Sequence, residues 1–190
     1  DRTSATASAV PGAPVAGVPS SPGEPRPVAL PRRGWRWMLR EVLEHGGPGY
    51  LQFAITNICN ARCDFCNFAV HKFAPQQRCS VTLPQARDVV DICVRNHIGF
   101  LLFVGGEPLI HRDLPAMVRY AAEKGLRPMI CTNGSLWTDR NMREFAAHGL
   151  SSVIMSIDST DVARHEANRG LPGVCQKIRH ANAVFAKLGI

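Results

Sequence analysis

The sequence predicts an α/β fold made of parallel strand–helix units, and three observations predict it. Short apolar runs alternate with amphipathic stretches of helical period from Tyr50 onward. The helix-to-strand joints carry a glycine each time, at Gly99, Gly125, Gly149 and Gly189, suited to the left-handed residue that ends a helix. The unusual polar residues fall just after the apolar runs, where parallel sheets and barrels place their ligands.

Each element has its own sequence reason. Residues 1–34 are rich in Ala, Pro, Ser and Gly and are expected to be a disordered tail, having prolines that break helix and strand and little apolar bulk to bury. Residues 35–48 are expected to form a leading helix and linker, with Trp35, Met38, Leu39 and Val42 on one face and Gly46-Gly47-Pro48-Gly49 ending it. The first strand is placed at residues 51–56. Thr82-Leu83-Pro84-Gln85 opens the next helix with capping-box spacing and an early proline; Ala86, Val89, Val90, Cys93, Val94 and His97 are its expected buried stripe and Gly99 its end. A second strand follows at residues 100–104, and Asp113 is expected to cap a helix that turns Met117, Val118 and Ala121 inward. The third strand spans 127–131, and Thr138 opens a helix through Met142, Phe145 and Ala146. The fourth strand spans 151–157, and a last helix carries Val174, Ile178, Ala181, Phe185 and Leu188 at intervals of three and four.

Composition bounds the function. A chain of 190 residues with 45% hydrophobic residues suits one domain with a real core. No apolar run approaches the roughly 20 residues that cross a bilayer, and no continuous apolar leader opens the chain, so a membrane role is not expected. Seven cysteines in such a chain point to a reducing, cytoplasmic setting. The net charge of +7 includes Arg26, Arg32, Arg33, Arg36 and Arg40 ahead of the first strand. No nucleic-acid recognition motif accompanies that cluster, which reads as a solvated flank rather than a nucleic-acid surface.

The chemistry concentrates in one loop. Cys59, Cys63 and Cys66 follow the first strand within Cys59-Asn60-Ala61-Arg62-Cys63-Asp64-Phe65-Cys66, and thiolates so close in sequence converge on a metal ion or an iron–sulfur cluster. Three cysteines are one short of a closed structural zinc site or an electron-transfer [4Fe–4S] cluster. On a four-iron cube they leave one iron open to an outside molecule. A zinc site completed by His71 or Cys79 is the chemical alternative.

The C-x3-C-x2-C spacing after a first strand, with Phe65 before the last cysteine, resembles the radical S-adenosylmethionine (radical SAM) enzymes. The resemblance covers about residue 49 to the end of the chain, and further motifs extend it. Gly105-Gly106-Glu107 after the second strand is similar to that family's GGE motif, and Thr132-Asn133-Gly134 to its Thr-Asn-Gly. His165-Glu166-Ala167-Asn168-Arg169-Gly170 is similar to its H-x3-R-G segment. The resemblance implies a partial TIM-type barrel of six strand–helix units, of which residues 49–190 supply about four as a truncated core domain. It implies a [4Fe–4S] cluster on the three cysteines and S-adenosylmethionine chelated to the open iron. Electron transfer into the sulfonium would then release a 5′-deoxyadenosyl radical that takes hydrogen from a substrate. An electron donor such as flavodoxin or ferredoxin is implied as a partner. The broad pattern looks nearest to the branch holding molybdenum-cofactor cyclases and peptide-modifying enzymes, which leaves the substrate open.

The same resemblance implies roles for individual residues. Glu107 would meet the cofactor's amine, with Gly105 and Gly106 letting backbone come close, and Phe65 would pack near the adenine. Ser156 would lie near the cofactor carboxylate or ribose, Asp158 near the sugar or substrate, and Arg169 would pair with the carboxylate. Asn133 reads equally as a cofactor contact and as an Asx-type turn. Cys93 is expected in the core and Cys131 chiefly in packing, while His71 and His111 are candidate substrate contacts; Cys79 and Cys175 carry no expected role. The fourth joint, at Gly189, has no fifth strand after it, which predicts a fragment of a longer enzyme or a sheet completed by a partner chain. The rival class is a non-catalytic zinc- or cluster-binding module, or an inactive remnant.

Overall fold

A computed structural model describes residues 35–190 of the chain, so the tail expected over residues 1–34 lies outside the described residues. In order come α1 (Trp35–His45), β1 (Tyr50–Thr56), α2 (Leu83–Arg95), β2 (Phe100–Gly105) and α3 (Leu114–Glu123). These are followed by β3 (Arg127–Thr132), α4 (Asp139–Ala147), β4 (Ser152–Met155), α5 (Val162–Arg169) and α6 (Val174–Leu188). The four strands form one sheet in the order β1-β2-β3-β4, every pair parallel. This is the open, partial (β/α) arrangement that the repeated units predict.

Alternation sorts the strand side chains onto two faces. Ile55, Leu101, Phe103 and Ile130 are fully buried on one, against Val90 and Cys93 of α2, Met117 and Val118 of α3, Met142 and Phe145 of α4, and Phe185 of α6. Trp137 meets Phe145 and Phe185 edge-on at centroid distances of 5.6 and 4.9 Å, each such pair worth about 0.5–1.5 kcal/mol beyond its burial. Beyond β4 the edge is open among the described residues, with Ile154 of β4 and Ile157 after it exposed. No described helix is long and apolar enough to cross a membrane.

The capping predictions resolve residue by residue. Thr82 and Thr138 both cap as expected, each accepting from the backbone N–H three residues on, with Gln85 and Asn141 reaching back. Asp113 stands at the N-cap of α3 but makes no side-chain cap bond. Pro115 removes one of the N–H groups a cap would serve, and the Asp113 carboxylate turns toward Arg112 instead. Gly125 and Gly149 take the left-handed conformation, but at the end of α2 it is His97, not Gly99, that does so, with φ +58°. Gly99 instead leaves room for the Trp37 ring, which a Cβ there would meet at 2.2 Å.

Other expectations shift at the edges. Leu39, Val94 and Leu188 are exposed, not buried. Val94 sits about 40° round the helix from Val90 and about 80° from Ala86, at the margin of the face centred on Ala86, Val90 and Cys93. Leu188 is the last residue of α6, while Ile190 turns back onto the core. Trp35's side chain lies outside what is described. The strand expected at 151–157 stops at Met155, and α5 was not foreseen.

The loop after β1 is closed at its neck. Asn57 N–H donates to the Cys79 carbonyl at 3.2 Å, and Cys79 N–H donates to Asn57 Oδ1 at 2.8 Å. Asn57 Nδ2 donates to the Gln77 carbonyl, Thr56 pairs with Ser80 in an antiparallel bridge, and Val81 N–H donates to the Ile55 carbonyl. The neck holds residues 57–79 as one loop over the end of β1.

Candidate functional site

The three cysteines stand together in this loop over the carboxyl end of the sheet. Cys59 and Cys63 are buried with Ala61, Cys66 and Leu171 pack against them, and all three thiols are free. Ala61 N–H points at Cys59 Sγ and Phe68 N–H at Cys66 Sγ, each at 3.4 Å. Such N–H···S contacts favour thiolate and tune a bound cluster's potential. Burial pushes the Cys59 and Cys63 thiols up, and the Arg169 guanidinium partly offsets this at Cys63. A thiol-only donor set from one loop, beside a cation, fits a thiolate-ligated cluster. Phe65, 64% exposed, stands at the rim.

The second loop locks onto the first. Gly106 N–H donates to the Thr56 carbonyl at 2.7 Å and Glu107 N–H to the Ile58 carbonyl at 2.8 Å. Only glycine permits this approach. A Cβ on Gly106 would lie 2.2 Å from Ile58 O, and one on Gly105, whose φ is +143°, 2.3 Å from Thr56 O. The close contact of the glycine pair is therefore with the backbone leading into the cysteines.

Glu107 is the hub of three loops. Its side chain is fully buried; Oε1 accepts from Leu109 N–H (3.1 Å) and Thr132 Oγ1 (2.6 Å), and Oε2 from Asn133 N–H (2.8 Å). A carboxylate offers about four acceptor positions, and three of those on Glu107 are used. Burial pushes the Glu107 carboxyl up, against the pull of Thr132, Asn133 and Leu109. The folded chain then holds that proton better than the unfolded one, so stability falls as pH rises from the ordinary carboxylate range through the raised Glu107 value. Glu107→Gln, with no proton to lose there, is expected to flatten that part of a stability–pH curve measured by urea melts.

The third loop is tied to the cysteines through amides. Asn133 Oδ1 accepts from Ser135 N–H at 2.9 Å, making the Asx-type turn, while its Nδ2 donates to Asn60 Oδ1 at 2.9 Å. Asn60 Nδ2 in turn reaches Ser135 Oγ at 2.9 Å. The fourth loop and α5 close the other side. Arg169 Nε and Nη2 form a two-pronged pair with Asp158 at 2.7 and 2.6 Å, and Arg62 N–H donates to the Arg169 carbonyl. The hydrogen bond from Arg169 holds the Asp158 carboxyl below its ordinary range. Because β4 ends at Met155, this pair, not strand alternation, sets the place of Asp158. Ser156 N–H donates to the Thr132 carbonyl, and its hydroxyl reaches the Cys131 thiol, which burial pushes up.

Several residues differ from expectation. His111 is structural: Nδ1 accepts from Asp113 N–H and Nε2 donates to the Val81 carbonyl at 2.7 Å, leaving no ring nitrogen for a substrate. His71 and Cys79 are exposed, and Cys93 is in the core as expected. Sequence reasoning missed Asn60, Thr132, Ser135 and His165. His165 is fully buried, with Nδ1 accepting from Asp158 N–H at 3.2 Å. Asn60 and Thr132 lie inside quoted motifs, but nothing in their spacing marks them as cross-loop partners.

Comparison with known proteins agrees with this geometry. The Radical SAM superfamily profile matches residues 53–183. An AdoMet-dependent heme synthase of Nitratidesulfovibrio vulgaris is 30% identical over 151 residues, 78% of this chain and 41% of that enzyme. A GTP 3′,8-cyclase of Synechococcus elongatus is 36% identical over 123 residues, 64% of this chain and 37% of that enzyme. The chain thus spans about two fifths of the curated relatives it matches. Among solved structures, methylornithine synthase (PylB) superposes with a TM-score of 0.62 at 13% identity, covering 81% of this chain and 47% of that one. Streptococcus suis SuiB bound to S-adenosylmethionine superposes at 0.59 and 17% identity, covering 78% and 35%. With the family profile matched across four parallel strands and the loops at their carboxyl ends, the chain belongs to the radical SAM superfamily.

Proposed function

We propose that the chain is the cluster-binding part of a radical SAM enzyme, holding a [4Fe–4S] cluster on Cys59, Cys63 and Cys66 and S-adenosylmethionine beside it. The observation that carries this is the convergence of three free thiols in one loop, with two backbone N–H groups aimed at sulfur and Arg169 acting on Cys63. A bound cluster would pass one electron, from a flavodoxin- or ferredoxin-type donor, to the sulfonium, whose carbon–sulfur bond would break to give methionine and a 5′-deoxyadenosyl radical able to take hydrogen from an organic substrate. The chain's own groups position. Glu107 offers its free acceptor position to the cofactor's ammonium, and Gly105 and Gly106 fix the height of that carboxylate. Arg169, held in plane by Asp158, presents its remaining N–H groups to the carboxylate; Asn133, Ser156 and the exposed Phe65 ring border the nucleoside.

Anaerobic reconstitution tests the proposal. Equal iron and sulfide, broad absorption near roughly 400 nm and 5′-deoxyadenosine formed from S-adenosylmethionine under dithionite are the expected results. One zinc without sulfide, or a cluster that leaves S-adenosylmethionine intact, would favour the non-catalytic module. Arg169→Ala is expected to weaken S-adenosylmethionine binding, read by calorimetry. It also removes half of a partly exposed ion pair, at about 1–3 kcal/mol, between the values for exposed and buried pairs.

A further inference from the structure

At the opposite pole of the sheet from the cysteine loop, three ligand-type side chains meet. Glu41 and His45 stand one turn apart on α1, and His97 stands on the turn between α2 and β2. Glu41 Oε2 lies 3.3 Å from His45 Nδ1 and 2.9 Å from His97 Nδ1, and the donor atoms of all three fall within 4.8 Å of one another. The two imidazole rings lie parallel, 3.8 Å apart between centroids and 9° out of plane. We propose that Glu41, His45 and His97 form a binding site for a divalent transition cation, of which zinc is the probe of choice.

Without an ion His97 Nδ1 and Glu41 Oε2 share a hydrogen bond of 2.9 Å, and the same spacing suits a ligand set. Zinc–nitrogen and zinc–oxygen bonds of about 2.0–2.1 Å at tetrahedral angles separate neighbouring ligand atoms by roughly 3.3 Å. The two Glu41–histidine separations, 2.9 and 3.3 Å, are already near that edge. His97 is also the one non-glycine at positive φ among the described residues, φ +58°. A turn that asks for glycine keeps an imidazole there, and such retained backbone cost clusters at ligand sites. All three side chains are at least partly open to solvent, so the rings can tilt onto an ion and water can fill a fourth position. A bound ion would staple α1 to the α2–β2 turn. That turn sits at the start of the strands, and seven residues of β1 at about 3.3 Å each put it roughly 20 Å from the cysteines.

Zinc titration by calorimetry tests this in the wild-type chain, Cys63→Ala, His45→Ala and His97→Gly. The wild-type and Cys63→Ala chains should share one equivalent of zinc that raises the melting temperature. His45→Ala and His97→Gly should each weaken that event by at least about tenfold, in line with metal-site losses. His97→Gly keeps the turn, since glycine suits its φ, so a folding failure cannot mimic the result. Unchanged zinc uptake in both histidine variants, or no uptake in Cys63→Ala, would overturn the proposal. Unchanged uptake in both histidine variants leaves the cluster reading untouched, whereas uptake lost in Cys63→Ala would place the zinc on the cysteines.

Discussion

Cys63→Ala is expected to leave a folded chain that retains no cluster iron after desalting and forms 5′-deoxyadenosine at least about 100-fold more slowly. That exceeds the 10–100-fold typical of losing a mere outer partner of a metal. The size follows from the donor count. Cys59, Cys63 and Cys66 pack together, so removing one leaves two thiols there. Cys93 is buried in the core, and the Cys79 backbone is tied to Asn57 in the neck. Cys59→Ala and Cys66→Ala should behave alike. Cys93→Ala is the control: it should keep its iron and lose only about 1 kcal/mol of stability. Iron and sulfide assays with a urea melt separate the outcomes, and a Cys63→Ala chain that keeps a full cluster would remove the basis of the site.

Gly106→Ala is expected to be as damaging by a wholly different route. Its new Cβ would sit 2.2 Å from the Ile58 carbonyl oxygen and 2.5 Å from its carbon. Those are backbone atoms, held by the Glu107 N–H bond at 2.8 Å, and they cannot swing aside as a side chain does. The end of β2 and the entry to the cysteine loop must part, costing about 3 kcal/mol or more, at or above the top of the usual overpacking range. Iron retention should fall with the urea midpoint. Gly99→Ala offers the contrast, since its 2.2 Å neighbour is the Trp37 ring. A Gly106→Ala chain as stable as wild type would mean that the two loops are not locked together as described.

What was legible in the sequence was whatever a local pattern encodes. The strands were found because runs such as Phe100–Gly105 are apolar throughout, as a sheet covered by helices requires, and because Gly125 and Gly149 mark the turns. The helix α5 escaped because it has no apolar stripe; its buried residues are His165 and Arg169. Its punctuation was present all the same, with Asp161 accepting from Arg164 N–H and Gly170 in the left-handed conformation. His97 was misread because a left-handed turn was sought at the nearest glycine. In the site, the cysteines and the Gly-Gly-Glu run announce themselves by spacing. The bonds that hold them, from Thr132 to Glu107 and from Asn133 to Asn60, join residues 25 and 73 positions apart. Such pairings exist only once the strands have set their register, so no local pattern could carry them.

The neck at Asn57 and Cys79 has a consequence for how this chain can vary. It works like a drawstring: whatever lies between its two ends is gathered in one place, and the sheet below does not register the slack. Past Val70, whose N–H is bonded to the Ala61 carbonyl, and up to Gln77 the chain can therefore lengthen, shorten or change sequence while the thiols stay at the same height above β1. Grafting a longer segment there would alter what greets an incoming molecule without disturbing the floor on which it lands.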